Sequence, residues 1–473
     1  MRKISITLTE SIHTQLYHHL FPGDGKEAVA LCLCGKAETD DHLRLIMNKI
    51  LLIPHEHCVR TSSMIKWSTE LLTTFLTEAE KKNLSICKIH SHPSNYISFS
   101  SIDDHADNEM FDIKTAWLSE ASYFASLVML PDKSMFGRIV EDRGNFTAVD
   151  HFRFVGDNIT FDFKADNDSK GISGWDKKNA QTLGAVTVKL FKKLKVGVVG
   201  CSGTGSPVIE QLIRLGIGKI VLVDPDVVEH KNLNRILNTT KDDADSQTFK
   251  VDVFKRLSDE LGLVDLVIPI NKNLYDSENG LKELSTCDVL FGCVDSIDGR
   301  HLLNLLATYY CIPFFDLGVK LIADGNGGIE KICGTVNYIK PGGSSLLSRG
   351  VYTIDDIAAA SLLRSNPPEY KKLASEKYIK NVSVESPAVI SVNMNVASVA
   401  INEFLCRVHK IRNESMADFA TTRLCISDGY VQYESEGKPD PYFTKQLGMG
   451  DQTPLLNLPE LSFIQNETVQ FFE

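Results

Sequence analysis

The feature that most constrains this fold is a glycine-rich turn between an apolar run and the start of a helix. Lys195–Val199 leads into Gly200–Gly205, and the serine and proline that follow suit the first turn of a helix. A second apolar run, Ile220–Val223, ends on Asp224. This arrangement places a nucleotide phosphate on a helix N-terminus and its ribose on a carboxylate. Most such turns serve hydride transfer, so the residues downstream must decide the chemistry.

Composition limits the class of protein. The chain has 473 residues, 43% of them hydrophobic, which is enough for two or three domains. The formal net charge of −11 argues against a nucleic-acid-coating surface. No apolar signal core and no run near the roughly 20 apolar residues of a membrane span are present, which predicts a cytoplasmic protein without a membrane partner. The 11 cysteines include no CxxC pair and indicate reduced, buried thiols.

The pattern divides the chain into four intervals. Residues 1–155 form an α+β block, 156–178 a polar linker, 179–435 an alternation of strands and helices, and 436–473 a tail with little pattern. The third interval predicts an α/β, mostly parallel, doubly wound sheet. Strands are predicted in the first and third intervals at Glu27–Cys34, Leu45–Ile53, Leu84–Ile89, Tyr123–Leu130, Phe136–Val140, Val264–Ile270, Asp288–Val294 and Pro313–Val319, with a helix over Ser68–Lys81.

A candidate metal site lies in the first block. His90 and His92 end a predicted strand and point the same way, and Asp103 at a helix start can supply a third ligand. Three protein ligands leave one tetrahedral position open, as catalytic zinc requires. Bound zinc lowers the pKa of a water to about 7. Glu27 is the best upstream acid to serve as the base, and Ser100 could donate to a developing oxyanion. A surface turn with incidental histidines would be the simpler interpretation of the HxH pair alone.

The full spacing H-x-H-x7-S-x-x-D is more specific than that pair. It resembles the JAMM/MPN (JAB) family of zinc isopeptidases, which remove ubiquitin-like proteins. The resemblance implies zinc ligands His90, His92 and Asp103, the base Glu27 and the oxyanion donor Ser100. Glu27 is assigned from strand order and from the likeness of its segment to the family's first strand.

A second group of residues follows the glycine turn. Arg235 and Lys250 supply positive charge, and Asp295 is an acid that can bind magnesium. A dehydrogenase needs no such cations, whereas attack of a carboxylate on the α-phosphate of ATP brings two anions together and does need them. Each residue alone would be a solvated surface charge. Together, after a glycine turn, they predict adenylation.

The stretch from near Lys177 to Phe404 resembles the ThiF/MoeB/HesA superfamily, which includes the ubiquitin-activating enzymes. The resemblance implies an ATP and magnesium site and a homodimer formed through this domain. The implied ATP-binding residues are Gly200, Gly203, Gly205, Asp224, Asn232, Arg235, Lys250 and Asp295, of which Arg235, Lys250 and Asp295 are also catalytic. The sequence departs from the family at Ser202, in place of the middle glycine, and at Ser345 and Ser348, in place of a CxxC zinc pair.

Cysteine positions bear on the step after adenylation. Ubiquitin-activating enzymes pass the adenylate to their own cysteine, yet no cysteine lies between Gly334 and Leu405. Cys333, Cys406 and Cys425 lie in apolar contexts typical of core residues. We therefore predict that this chain stops at the acyl-adenylate or hands it directly to a partner.

The leading hypothesis is a two-activity enzyme of a bacterial ubiquitin-like pathway, some members of which are associated with phage defence. One site would adenylate the C-terminal glycine of a ubiquitin-like protein, and the other would process or remove that protein, with a conjugating enzyme as a possible further partner. A second hypothesis is activation and trimming of a sulfur-carrier protein for cofactor or cysteine synthesis. A third is a non-catalytic dimeric scaffold with a degenerate nucleotide pocket.

Overall fold

Two large β-sheets, one in each half of the chain, organise the computed structural model. The structure describes residues 2–163, 174–324, 326, 328–379, 382 and 389–463. We call the half up to residue 163 the N-terminal lobe and the half from residue 174 the C-terminal lobe. Within the described residues, no helix combines the length and the apolar composition that crossing a bilayer requires.

Among its described residues, the N-terminal lobe combines a nine-stranded mixed sheet, a two-stranded antiparallel sheet of β4 and β5, and three α-helices. The strands of the large sheet follow the order β11-β10-β1-β3-β2-β6-β7-β8-β9. Helix α1 packs on one face of this sheet, and α2 and α3 pack on the other. The elements are β1 (Lys3–Thr9), α1 (Glu10–Leu20), β2 (Val29–Glu38), β3 (His42–Leu52), β4 (Cys58–Arg60), β5 (Ile65–Trp67), α2 (Leu72–Lys81), β6 (Ser85–Ser91), α3 (Ser101–Trp117), β7 (Phe124–Met129), β8 (Met135–Asp142), β9 (Asn145–Ala148), β10 (His151–Val155) and β11 (Ile159–Phe163).

The predicted strands of the first block are present as β2, β3, β6, β7 and β8, and the predicted helix is present as α2. The interval 156–178 differs from a plain linker. Its residues 159–163 form β11, which pairs antiparallel with β10, and α4 begins at Lys177. Residues 164–173 of that interval lie outside the described residues. The sequence did not reveal β11 because Gly, Asp and Asn around it suggested a loop.

The C-terminal lobe is built on a sheet with the order β14-β13-β12-β15-β16-β17-β18-β19. The elements are α4 (Lys177–Leu183), α5 (Ala185–Phe191), β12 (Lys195–Val199), α6 (Gly205–Leu215), β13 (Lys219–Val223), α7 (Lys241–Asp245), α8 (Lys250–Glu260), β14 (Val267–Ile270), α9 (Glu278–Ser285), β15 (Val289–Gly292), α10 (Ile297–Tyr309), β16 (Phe314–Ala323), β17 (Ile329–Ile339), α11 (Ile354–Ser365), α12 (Pro367–Ser375), α13 (Ile390–His409), β18 (Thr421–Cys425), β19 (Tyr430–Glu434) and α14 (Pro441–Thr444).

The five strands β14, β13, β12, β15 and β16, in sheet order, are parallel. Strands β17, β18 and β19 continue the sheet by antiparallel pairing. This confirms the predicted doubly wound α/β sheet. Strand β12 lies between β13 and β15, so successive strands are added in opposite directions from this point. Ligands of open α/β sheets bind where the strand order reverses, outside the carboxyl ends of the strands. The turn after β12 lies at that position.

The described part of the C-terminal tail, residues 436–463, is packed and joins the two lobes. Residues 436–473 were predicted to have little pattern, yet α14 and two short 3-10 helices, Leu455–Asn457 and Pro459–Leu461, form within them. Met449, Leu455, Leu456 and Leu461 are buried in the core of the C-terminal lobe. Gly450 bridges to Lys36 of β2. The tail therefore contacts both sheets.

Buried charges form the centre of the contact between the lobes. Arg44 of β3 donates to Asp288 over 2.7 Å and to the carbonyl of Cys287 over 2.6 Å. Arg153 of β10 donates to the same carbonyl over 2.8 Å. All three charged side chains are almost completely buried. Breaking such a pair leaves an uncompensated buried charge, so these contacts fix how the lobes dock.

Candidate functional sites

The first candidate site lies where β6 ends beside the N-terminus of α3. The structure brings His90, His92 and Asp103 together, as predicted. The Nε2 atoms of the two histidines are 3.0 Å apart, and Asp103 Oδ1 lies 3.1 Å from His90 Nε2. Asp103 Oδ2 lies 4.0 Å from His92 Nε2. These separations are close to the roughly 3.3 Å edges of a tetrahedron of zinc ligands.

Hydrogen bonds prepare these side chains for a metal ion. His92 Nδ1 donates to the carbonyl of Tyr96 over 2.7 Å, because a carbonyl can only accept. This leaves Nε2 of His92 as the atom that can ligate, the arrangement usual for histidine ligands. Burial lowers the pKa of His90. Burial acts to raise the pKa of Asp103, but hydrogen bonds from His90 and Ser100 bring it below its ordinary value. Two imidazole nitrogens and a carboxylate are a donor set that fits zinc.

Glu27 lies two residues before Val29, the first residue of β2. Val29 is the register partner of His90, and the charge of Asp103 acts on Glu27, so Glu27 lies near the three candidate ligands. Burial raises the pKa of Glu27 to about 7, the charge of Asp103 adds to this, and Lys88 opposes it. A carboxyl group with that pKa can exchange a proton near neutral pH.

Ser100 contacts Asp103 directly. Its hydroxyl donates to Asp103 Oδ2 over 2.7 Å, and its backbone N–H donates to the same oxygen over 2.7 Å. The pair forms a capping box at the start of α3. The hydroxyl thus orients the third candidate ligand. The role of Ser100 as an oxyanion donor stays a prediction. It requires that the hydroxyl break its hydrogen bond to Asp103 and donate to the oxyanion instead.

Sequence reasoning missed a second connection between β6 and α3. Lys88, two residues before His90, forms a buried ion pair with Asp107, four residues after Asp103. Asp107 also accepts from Arg138 of β8 over 2.9 and 2.6 Å. Residues i and i+2 of a strand share a face, as do residues i and i+4 of a helix. The ion pair Lys88–Asp107 and the contact His90–Asp103 therefore join the same faces of β6 and α3. The matching spacings, two residues on the strand and four on the helix, could have predicted the Lys88–Asp107 pair.

The second candidate site is the glycine turn at the point where the strand order reverses. Gly200 has φ +91°, and a Cβ there would lie 2.5 Å from the carbonyl oxygen of Cys293. A Cβ on Gly205 would lie 1.8 Å from the carbonyl oxygen of Gly200. At Gly203 a Cβ would lie 2.2 Å from Nδ2 of Asn393 on α13. Gly200 and Gly205 therefore require glycine, whereas a side chain at position 203 would have to displace the amide of Asn393. Asn393 is a site neighbour that the sequence did not reveal.

Charged side chains after β13 connect to this turn. Asp224 accepts from the backbone N–H groups of Cys201 over 2.7 Å and Asp226 over 2.9 Å. Lys250 Nζ lies 2.7 Å from Asp226 and 3.8 Å from Asp224. Burial raises the pKa of Asp224, and Lys250 opposes that rise. The predicted residues Asp224 and Lys250 are therefore together, and Asp226 is an addition to the predicted set.

The remaining predicted residues lie on the segments that surround the turn. Arg235 is half-buried, with its Cδ 3.3 Å from the position of a Cβ on Gly203. Asn232 accepts from the backbone of Glu229 over 3.0 Å and so shapes the segment before Arg235. Asp295 is exposed two residues after Cys293, whose carbonyl packs on Gly200. The arrangement offers backbone donors, cations and an exposed acid at one edge of the sheet.

Comparison with known proteins identifies the C-terminal lobe. A model of the ThiF family matches residues 177–424, which is more than half of the chain. The chain belongs to the ThiF family. The matched range begins with α4 and ends in β18, so the ThiF region contains the glycine turn and every predicted residue of the second site.

Curated relatives match part of this ThiF region. Ubiquitin-like modifier-activating enzyme 5 of Drosophila virilis is 28% identical over 166 residues, 33% of this chain and 40% of that enzyme. The adenylyltransferase and sulfurtransferase UBA4 of Candida glabrata is 34% identical over 163 residues, 33% of this chain and 34% of that protein. The chain thus spans less than half of either relative.

A solved structure of Escherichia coli MccB with ATP matches 57% of this chain and 74% of its own, with a TM-score of 0.42 and 19% identity. At that level the likeness carries no argument about function.

The ThiF region has a hydrogen-bonded cluster where the family resemblance leads us to expect a CxxC zinc pair. Ser345 donates to Asp440 over 2.5 Å. The backbone N–H groups of Ser345 and Ser348 each donate to the other's hydroxyl. Asp440 also caps α14, the first helix of the tail. Serine hydroxyls and one carboxylate hold this loop together by hydrogen bonds.

Three cysteines of the ThiF region have thiols whose pKa is raised by burial. Burial raises the pKa of Cys201 well above its ordinary value, and it also raises the pKa of Cys333 and of Cys406. Cys201 follows the first glycine of the turn, but its side chain lies in the core. An activated nucleophile requires a lowered pKa or an adjacent base. These three environments therefore do not favour thioester formation.

Proposed function

We propose that the ThiF region adenylates the C-terminal carboxylate of a ubiquitin-like or sulfur-carrier protein with ATP. The observation that carries this proposal is the contact of Lys250 with Asp224 and Asp226 beside a turn in which Gly200 and Gly205 leave no room for a side chain. A dehydrogenase does not need a cationic side chain such as Lys250 beside its phosphate-binding turn. The names of the Drosophila and Candida relatives also favour activation of a modifier or carrier.

In this proposal the carboxylate attacks the α-phosphate and pyrophosphate leaves. The backbone of Gly200, Gly203 and Gly205 would hold the phosphates, and Asp224 would accept from the ribose. Arg235 and Lys250 would offset the repulsion between the two anions as they meet. Asn232 would position the segment that carries Arg235. Magnesium, when bound at Asp295, would supply further positive charge on the phosphates.

We further propose that the first site is a zinc-dependent peptidase or isopeptidase of the JAMM type. His90, His92 and Asp103 would hold the zinc ion, which lowers the pKa of a water when bound. Glu27, with its pKa of about 7, would accept a proton from the attacking water and deliver it to the leaving amine. Ser100 would orient Asp103 and, after exchange of that hydrogen bond, donate to the oxyanion.

Together the sites would activate a ubiquitin-like protein and process or remove it. The pathway would be a bacterial, cytoplasmic one, with a conjugating enzyme as a possible partner and antiphage defence as a possible setting. The ThiF region would form the homodimer. The peptidase domain would extend over 1–155 and the adenylation domain over 179–435.

Adenylation is tested by ATP–pyrophosphate exchange with the full chain and candidate β-grasp proteins. Exchange that depends on one such protein is the expected result. Intact mass of that protein separates the activities, since a gain of AMP reports adenylation and a loss of tail residues reports the peptidase. If neither occurs with any candidate, the proposal is wrong and a nucleotide-binding scaffold becomes the better interpretation.

Sulfur-carrier activation is the second candidate function. The raised pKa values of Cys201, Cys333 and Cys406 favour transfer of the adenylate to a partner's thiol or sulfide instead of to this chain. Addition of a sulfide donor to the exchange reaction distinguishes sulfur-carrier activation from protein modification. Formation of a thiocarboxylate on the carrier supports sulfur transfer, whereas a thioester on a conjugating enzyme supports protein modification.

A further inference from the structure

Two cysteines outside both candidate sites face each other across adjacent strands. Cys333 of β17 and Cys425 of β18 are register partners in an antiparallel pair. The backbone N–H of Ile426 donates to the carbonyl of Ile332 over 3.1 Å, so the flanking residues 332 and 426 form the hydrogen-bonded pair. Hydrogen-bonded and non-hydrogen-bonded pairs alternate along antiparallel strands. Cys333 and Cys425 therefore occupy a non-hydrogen-bonded position.

That position brings the two sulfur atoms close. Cα atoms of a non-hydrogen-bonded pair lie about 4.5 Å apart, within the range of about 4.4–6.8 Å that a disulfide spans. A neighbouring pair of the same kind, Asn337 and Thr421, joins its side chains by a hydrogen bond of 2.9 Å. Side chains at non-hydrogen-bonded positions of β17 and β18 are therefore close enough to touch. The Cys425 thiol also interacts with the Cys333 thiol.

The pair is open to small reagents from one side. Cys333 is half-buried, whereas its register partner Cys425 is only 8% exposed. The opposite side of β17 is covered, because a Cβ at Gly334 would contact Val396 of α13. An oxidant therefore reaches Cys333 first and finds Cys425 as the nearest second thiol.

We propose that Cys333 and Cys425 are a site of reversible oxidation that closes a disulfide between β17 and β18. The oxidant is hydrogen peroxide. The Cys333 thiolate attacks one peroxide oxygen, the O–O bond breaks, and water leaves after protonation. The Cys425 thiolate then attacks the sulfenic sulfur, so that the S–S bond forms, the S–O bond breaks and a second water leaves. Two thiols and one peroxide give one disulfide and two waters.

The inference goes beyond the proposed function and does not depend on it. Because the pKa of Cys333 is raised, the reaction is expected to be faster at alkaline pH, where more thiolate is present.

The test is a non-reducing peptide map of the full chain after hydrogen peroxide treatment and alkylation of the remaining thiols. We expect neither Cys333 nor Cys425 to be alkylated after peroxide treatment. Their two peptides should instead appear as one linked pair whose mass lacks both thiol hydrogens, and dithiothreitol should separate them. The buried register partners Cys32 and Cys87 provide the internal control. They lack access, and they occupy a hydrogen-bonded position because the backbone N–H of Ser91 donates to the carbonyl of Ala28, so both should still be alkylated after unfolding.

Two variants sharpen the test. In Cys425→Ser the peroxide should leave Cys333 as a sulfenic acid that a dimedone probe captures, and in Cys333→Ser it should leave Cys425 alkylatable. The wild-type map is decisive even if a variant folds poorly. Oxidation of Cys333 to a sulfinic acid while Cys425 remains a thiol would overturn the inference. So would a cross-link of Cys333 to any cysteine other than Cys425.

Discussion

Asp103 shows how one residue can serve the fold and a site at once. Its Oδ2 accepts from the backbone and hydroxyl of Ser100 and so starts α3, while Oδ1 lies 3.1 Å from His90. The two oxygens of one carboxylate thus have separate tasks. A substitution at this position changes both the helix start and the ligand set, so a histidine is the cleaner place to test the metal.

Replacing a single ligand tests the candidate metal site. In His92→Ala the zinc affinity should fall by more than about 100-fold, because loss of outer-shell partners alone costs about 10–100-fold. Zinc content after dialysis and competition with a chromogenic chelator measure the change. His105→Ala is the matched control, since His105 is an exposed histidine of α3. Equal zinc binding by the two variants would refute the site.

The second residue-scale prediction concerns Lys250. In Lys250→Ala the rate of ATP–pyrophosphate exchange should fall by about 100- to 1000-fold, the usual cost of removing one group that stabilises transition-state charge. Lys255→Ala on the same helix should retain the wild-type rate, since Lys255 pairs only with Asp259 among its described contacts. Comparable loss in both variants would mean that the effect is structural.

At the scale of elements, α3 is held on the N-terminal sheet by charge. Lys88 and Arg138 both pair with Asp107, and the Arg138 guanidinium lies 3.8 Å from the ring centroids of Phe99 and of Phe146. Asp107 has no exposed surface. This network fixes the register of α3 against β6 and therefore the position of Asp103 opposite His90.

Removing the carboxylate of Asp107 should loosen that register. Asp107→Asn leaves the buried Lys88 without its ion-pair partner and Arg138 with Asp104 alone, and breaking a buried pair costs about 3–5 kcal/mol of unfolding free energy. Urea unfolding measures this cost, and chelator competition should show weaker zinc binding in the folded variant. Asp112→Asn, at the exposed Asp112–Arg143 pair of the same helix, should leave both quantities unchanged. Unaltered zinc affinity in Asp107→Asn would show that the ion-pair network stabilises the fold but does not position Asp103.

At the scale of the whole molecule, the two lobes and the tail form one assembly. The tail crosses β2 so closely that a Cβ on Gly35 would lie 2.3 Å from the carbonyl oxygen of Gly448. Gly35→Ala should therefore displace the tail and lower stability by about 1–3 kcal/mol, as overpacking does. Limited proteolysis should then cut near Gly448. Gly174→Ala is the control, since nothing lies within 4 Å of its Cβ position.

The lobe interface should also make stability depend on pH. Burial lowers the pKa of His151 to about 3, Lys3, Arg44 and Arg153 act in the same direction, and Asp288 opposes them. With an ordinary pKa of about 6.5, the unfolded chain binds a proton that the folded chain does not. Unfolding free energy should therefore fall as pH drops below about 6.5, by up to about 1.4 kcal/mol per pH unit for this group.

Denaturant unfolding at a series of pH values between neutral and mildly acidic measures this slope. His151→Gln should have a shallower slope than the wild type, since glutamine does not titrate. The absolute stability of the variant does not matter to the comparison. Identical slopes would mean that His151 is protonated in the folded protein.

The sequence alone determined the local elements and the chemistry of single residues. Apolar runs bounded by turn residues located β2, β6, β12, β13 and β15, because a buried strand needs continuous apolar side chains. The glycine turn and the HxH pair were visible because their spacing is short. Strand β11 and the packed tail were not visible, since their burial depends on surfaces far away in the chain.

Only the tertiary structure decided which of these residues meet. The contact of Arg44 with Asp288 joins positions 244 residues apart, and the approach of Asn393 to Gly203 has no local sequence signal. The sequence predicted that His90, His92 and Asp103 could share an ion, but their separations depend on how α3 packs on β6. Periodicity and propensity act over a few residues, whereas packing pairs charges and side chains across the whole chain.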